Sequence, residues 1–189
     1  GGKTSIGISF DRDATMRRRH SLGFTLIELL MAVAIGAIAL TLALPNFIDA
    51  IRSSRVTGAA NEFIASVSLA RSEAIRSGHP GYMCASSNGS SCGGEWNDGW
   101  LVWSDLNGNA VADADERPRR TDQIRDLSLV ATAVGGDART LIFDGRGRLR
   151  DGRRDFVLKS TPCRAGANQL RTFELSSTGQ VTMQRDKCP

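Results

Sequence analysis

Hydrophobic and polar positions divide the chain into three regimes. From Phe24 to Leu44 the residues are apolar on all sides, with Glu28 the single charge. At a rise of about 1.5 Å per residue, a helix of that length crosses the roughly 30 Å core of a bilayer. Beyond it Val56, Ala60, Phe63, Val67, Ala70 and Ala74 recur at alternating steps of four and three, which places them on one helical stripe able to pack on a sheet. Gly78 followed by Pro80 is a stop signal. Residues 24–77 are therefore expected to form one helix of about 80 Å, kinked or locally unwound at Pro45.

After residue 81 the period shortens. Segments 82–85, 100–104, 124–132, 140–143, 156–159, 171–175 and 181–184 read as strands, punctuated by the turn pairs Asp144-Gly145, Asp151-Gly152 and Thr178-Gly179. Neither an internal repeat nor a low-complexity segment interrupts them. The expected fold class is α+β, a long N-terminal helix packed on an antiparallel sheet. The expected divisions are 1–23, a basic leader; 24–44, a transmembrane half-helix; 45–78, an amphipathic half-helix; and 79–189, a β-rich domain.

Composition agrees with a globular chain carrying an appendage. With 189 residues, 41% hydrophobic and 23% charged, disordered, collagen-like and disulfide-dense classes are excluded. The net charge of +4 first suggests an anionic partner, but its distribution changes that. Arg17, Arg18 and Arg19 precede the apolar run, whereas Asp49, Arg52, Arg55 and Glu62 mix signs after it. The positive-inside rule then keeps the N-terminus cytoplasmic and exports the rest. The apolar run is longer than a secretory signal and continues into a helical pattern, so it is expected to be retained. Residues 1–23 hold five basic and two acidic side chains, which leaves 19 basic against 18 acidic in the remainder, a formal charge of +1.

The residues Gly23, Phe24, Thr25, Leu26, Ile27, Glu28, Leu29 and Leu30 resemble the class III signal of type IV pilins and type II secretion pseudopilins. The resemblance implies that a prepilin peptidase cuts between Gly23 and Phe24 and that the new Phe24 amine is N-methylated. Met16 then starts an eight-residue leader, residues 1–15 being either a longer leader or a misassigned start. A carboxylate at depth in a bilayer costs about 2.5 kcal/mol or more. In pilin-like proteins the acid at the Glu28 position attracts the ammonium of a neighbouring subunit, here that of Phe24; the plainer reading is hydration near the interface. A second stretch, Trp96, Gly99, Trp100, Trp103, Asp105, Asn107, Asn109, Asp113 and Glu116, resembles the GspH/FimT group. It implies a minor pilin or pseudopilin in a type IV pilus or type II secretion pseudopilus, near the tip. The implied partners are other pilins or pseudopilins, the peptidase and the bacterial inner membrane, and the C-terminal domain is implied to be periplasmic.

Four residue sets are candidates for chemistry. Export favours disulfides, Cys84 with Cys92 and Cys163 with Cys188 first among three connectivities; free thiols or zinc fit the spacing less well. Asp105, Asn107, Asn109, Asp113 and Glu116 stand at positions 1, 3, 5, 9 and 12 of a calcium-type loop, with Ala110 where glycine is usual. An Asx-rich turn is favoured there over Ca2+, and no other cofactor is expected. Arg146, Arg148, Arg150, Arg153 and Arg154, alternating along an expected hairpin, suit phosphate contacts. Some FimT-like minor pilins bind DNA in natural transformation through a GRxR motif in a C-terminal strand and tail. Here Gly145-Arg146-Gly147-Arg148 comes earlier, and the matching tail reads Gly179-Gln180-Val181-Thr182, so a solvated hairpin or subunit contact is preferred to DNA. Lone His79 and scattered serines supply no nucleophile–base pair, and an enzyme is not expected.

Overall fold

Helix α1 spans Leu26–Ser77, 52 residues without a break. Thr25 starts it: its Oγ1 accepts the Glu28 backbone N–H at 3.3 Å, an N-cap bond that satisfies one of the first-turn donors. Glu28 thus lies in the first turn, where the helix dipole favours a carboxylate. The computed structural model describes residues 24–117, 119–133 and 137–189, without the side chains of Leu42, Pro45, Asn46 and Ala133. The expected leader, with Met16 and Gly23, lies outside the described residues. The helix assignment continues through position 45, which corrects the expected unwinding. Proline removes one amide donor, and the neighbouring helical bonds sustain the turn.

The chain divides into two units, residues 1–42 and Ala43–Pro189. In the first, Phe24, Leu26, Ile27, Leu29, Leu30, Met31, Val33, Ile35, Ile38 and Leu40 are all exposed, the all-round apolar character expected from the sequence. Among the described residues no helix is long and apolar enough to cross a membrane, so the span expected at 24–44 is not itself a structural finding.

In the second unit the predicted helical stripe is the core. Val56, Ala60, Phe63, Val67, Ala70 and Ala74 are each at most 1% exposed. Two antiparallel four-stranded sheets close on it, not the one sheet expected. The strands are β1 (Gly81–Ala85), β2 (Gly99–Ser104), β3 (Arg119–Asp122), β4 (Leu127–Ala133), β5 (Thr140–Phe143), β6 (Arg154–Ser160), β7 (Leu170–Leu175) and β8 (Val181–Asp186). Their orders are β3-β2-β1-β5 and β4-β6-β7-β8. Met83, Trp100, Val102, Leu141 and Phe143 come from the first sheet and Leu129, Phe156, Leu158, Phe173 and Leu175 from the second, all in one cluster with the helix. Phe63 meets Trp96 and Trp100 edge-on and lies tilted against Phe156 and Phe173, with ring centroids 4.7–6.2 Å apart. Trp100 Nε1 donates to Ser66 Oγ at 2.9 Å, so the indole is buried without an orphaned donor.

Strand β2 is buried along its whole length because both faces are covered. Trp100 and Val102 face the helix, while Leu101 and Trp103 join Cys84, Tyr82 and Ala112 in a second cluster. Tyr82 and Trp103 are cross-strand partners and stack with centroids 4.0 Å apart. At Gly81 a Cβ would collide with the Ala70 carbonyl of the helix, so glycine allows β1 to lie close against the small residues Ala70 and Ala74.

Phe63→Ala is expected to destabilise the protein by about 3–5 kcal/mol, read from urea unfolding of the full chain in detergent by tryptophan fluorescence. A loss below about 1 kcal/mol would mean that Phe63 is not the joint between the sheets.

Candidate functional site

The cysteines pair as expected. Cys84–Cys92 and Cys163–Cys188 are disulfides with Cα atoms 5.5 and 5.7 Å apart. Cys84 lies in the cluster on the outer face of the first sheet, so its bond ties the following loop to that face. Cys163–Cys188 fixes the C-terminal end, where Cys188 exchanges backbone bonds with Gly166 and Ala167. The same corner is held to the helix by Arg164–Asp49 at 2.8 Å and by Ser53 Oγ donating to the Asn168 carbonyl at 3.1 Å.

The Asp105–Glu116 loop folds around its own polar side chains. Asp105 accepts the N–H groups of Gly108 and Ala110, Asn107 Oδ1 that of Asn109, and Asn109 Oδ1 that of Val111. Asp113 Oδ2 accepts both the Asn107 and Asn109 amides at 2.9 Å. Those two bonds, Asn109 first, hold the Asp113 carboxyl below its ordinary range. Among the described residues no three His, Cys, Asp or Glu side chains are grouped to hold a metal. The acidic residues do not form one exposed patch, since Asp105 and Glu116 are buried and Glu95 pairs with Arg139.

The arginines are dispersed. Strand β5 belongs to the first sheet and β6 to the second, so residues 144–153 form a crossover between sheets. Its first half is a short hairpin: Phe143 and Leu149 form an antiparallel bridge, Asp144 N–H donates to the Arg148 carbonyl and Arg150 N–H to the Ile142 carbonyl, and the chain passes to the second sheet only after that turn. Asp144 accepts the N–H groups of Arg146 and Arg148 at 3.0 and 2.9 Å and pairs with the Arg148 guanidinium at 3.3 Å. Gly147 holds φ 73, and its carbonyl accepts Arg71 Nε of the helix at 3.0 Å. The Gly-Arg-Gly-Arg motif is therefore a turn anchored on α1. Arg153 bridges Asp155 and Glu174 at 3.0 and 2.9 Å. Arg154 is 1% exposed, which withdraws it from the expected phosphate-binding face, and Arg146 and Arg150 remain exposed.

One contact between helix and sheet went unread in the sequence. Glu62 on α1 takes Arg119 bidentately, both bonds at 3.1 Å, and Thr121 at 3.0 Å. The partners lie 57 and 59 residues apart in sequence, a separation for which local pattern carries no signal. His79 is exposed after the helix, and its N–H is taken by Ser77 Oγ.

These features meet in comparisons with known proteins. The family model described as Type II transport protein GspH matches residues 59–179, most of the chain. The chain belongs to the GspH family. The prokaryotic N-terminal methylation motif matches residues 18–44. The fold is similar to that of the Pseudomonas aeruginosa type IV minor pilin FimU, at 20% identity and TM-score 0.52, over 69% of this chain and 89% of that one. It is similar as well to the minor pseudopilin EpsH of the Vibrio cholerae type 2 secretion system, at 11% identity and TM-score 0.52, over 69% and 97%. No curated protein matches the chain. Family and motif together imply export and assembly with other pilins or pseudopilins.

The Asp144 carboxyl is held below its ordinary value of 3.8 chiefly by the Arg148 backbone N–H, then by the Arg146 N–H and the Arg148 guanidinium, against some desolvation. A depressed folded pKa contributes stability that is complete above the unfolded value and is lost as pH falls through the folded one. A carboxyl-carbon NMR titration is expected to place the Asp144 midpoint below 3.8, and Asp144→Asn is expected to loosen residues 144–148. A midpoint at or above 3.8 would contradict the turn as described.

Proposed function

We propose that this GspH-family chain is a minor pilin or pseudopilin, anchored by its N-terminal helix and built through that helix into a pilus or pseudopilus near the tip. The observation that carries the reading is the change of role along α1. Residues 24–41 expose apolar side chains on all sides within a methylation motif, and residues 56–74 bury one stripe in the core. In this reading Arg17, Arg18 and Arg19 hold the N-terminus in the cytoplasm. Prepilin peptidase cuts between Gly23 and Phe24, and the Phe24 amine is methylated. The β-rich unit then enters the periplasm, which is consistent with its two disulfides.

Glu28 is the assembly residue. It is exposed in the first turn, so its carboxylate is free to meet the Phe24 ammonium of a neighbouring subunit. Opposite charges meeting in apolar surroundings attract far more strongly than in water, which makes the pair a selector of register. Pro45 lies within the continuous helix beyond this segment. The alternative, a DNA receptor in transformation, has less support. Arg148 and Arg153 pair with acids of this chain and Arg154 is buried, so of the five candidate arginines Arg146 and Arg150 are the two left exposed for phosphates.

Replacing Gly23 with leucine is expected to leave the chain uncut, with the precursor mass retained in the membrane fraction; a normal mature mass would remove the processing assignment. Glu28→Ala is expected to be cut normally yet to enter sheared filaments several-fold less than the parent. Equal incorporation would end the assembly role for Glu28.

A further inference from the structure

Glu116 is a buried carboxylate with one oxygen left over. The residue is 3% exposed. Its Oε1 accepts the N–H groups of Leu106 and Asn107 at 2.8 and 3.3 Å, which turns the carboxylate into the Asp105–Glu116 loop. Oε2 is buried with no hydrogen-bond partner, and no described cation pairs with the side chain. Pro118, the neighbouring residue outside the described ones, has no N–H to give. A buried carboxylate oxygen without donor or counter-charge is costly unless a cation meets it.

We propose that this loop binds Ca2+, with Glu116 Oε2 and Asp105 as charged ligands and the Asn107 and Asn109 amide oxygens as neutral ones. Asp105, Asn107 and Asn109 each turn side-chain oxygen onto loop N–H groups. Such an oxygen keeps a second lone pair. Ala110 holds φ 56, so the bend that glycine serves in calcium loops is made here despite a side chain. Asp113 Oδ2 takes both Asn amide N–H groups, and the proposed set does not require this carboxylate. Two carboxylates and two amides also fall short of a three-residue His, Cys, Asp and Glu cluster, in accord with there being none among the described residues. An all-oxygen set suits Ca2+ over zinc, and two charges place it in the weak class of extracellular modules, Kd about 0.1–1 mM. Ala112, inside the loop, packs on the cluster of Cys84, Leu101 and Trp103, so a bound ion clamps the loop over that face of the sheet. The proposal is independent of filament assembly.

The test uses the full-length chain in detergent, stripped with EDTA and titrated with CaCl2 by calorimetry and with Tb3+ through tryptophan-sensitised emission. Saturable binding near one equivalent is expected. A rise in melting temperature at about 5 mM Ca2+, not reproduced by equal Mg2+, should accompany it. Glu116→Gln keeps the acceptor for Leu106 and Asn107 and exchanges Oε2 for a group that cannot ligate. It is expected to weaken Ca2+ binding roughly tenfold or more and to melt no lower than the parent without Ca2+. Asn109→Ala, at an exposed position, is expected to weaken binding as well and serves if Glu116→Gln does not fold. No heat, no emission and no melting shift in the parent would overturn the proposal, as would unchanged binding in both variants.

Discussion

One narrow stripe of helix α1 has to close two sheets at once, and Phe63 is its single aromatic side chain among alanines and valines. The small residues let the strands come close, to the point that β1 carries Gly81 where any Cβ would strike the helix backbone. Close approach alone would leave the sheets without a common partner. Phe63 supplies it, touching Trp100 of the first sheet and Phe156 and Phe173 of the second. Edge-on and tilted aromatic pairs add about 0.5–1.5 kcal/mol each beyond area burial, so the ring contributes packing and relative orientation together. The polar contacts follow from that placement: Ser66 sits where Trp100 Nε1 ends, and Glu62 where β3 presents Arg119 and Thr121.

The helical stripe was legible because burial on one face leaves a period of 3.6, and all six predicted positions are core. Most strands were legible for the corresponding reason, with β5 matching at both ends. Strand β3 was not. Its sequence is Arg-Arg-Thr-Asp, an edge strand that pairs only with β2, so it carries charge where a central strand carries apolar side chains. Nor does residue pattern tell one sheet from two. Alternation reports which side chains of a strand face inward, but the link at 144–153 begins as a tight hairpin, Phe143 bridged to Leu149, before it passes to the second sheet.

The same link disperses the arginines that alternation alone would place on one face. Alternating residues point one way only if the backbone is extended. Here Asp144 collects the N–H groups of Arg146 and Arg148, and Arg71 draws the Gly147 carbonyl to the helix. The arginines are thereby dispersed, with Arg148 and Arg153 paired to acids of this chain and Arg154 buried. The disulfide pairs were legible because export points to them, one closing a local loop and the other stapling the C-terminal end, whereas the Glu62 clamp depends on contact between residues 57 apart in sequence, for which local pattern has no signal.

The exposed apolar length of α1 has no partner in its own unit among the described residues, and a surface of this kind does not persist in water. Hydrocarbon tails and the apolar side chains of neighbouring helices are nearly equivalent solvents for leucine, isoleucine and valine. In the proposed function the surface from Phe24 to Leu40 therefore transfers between lipid and filament with little change in burial. A step that is nearly neutral in apolar terms is decided by its polar groups. Within residues 24–44 Glu28 is the single charged side chain; in the proposed assembly it would lack a counter-charge in lipid and gain one from a neighbouring Phe24 amine in the filament. The carboxylate then gives direction to an exchange that the apolar residues leave balanced.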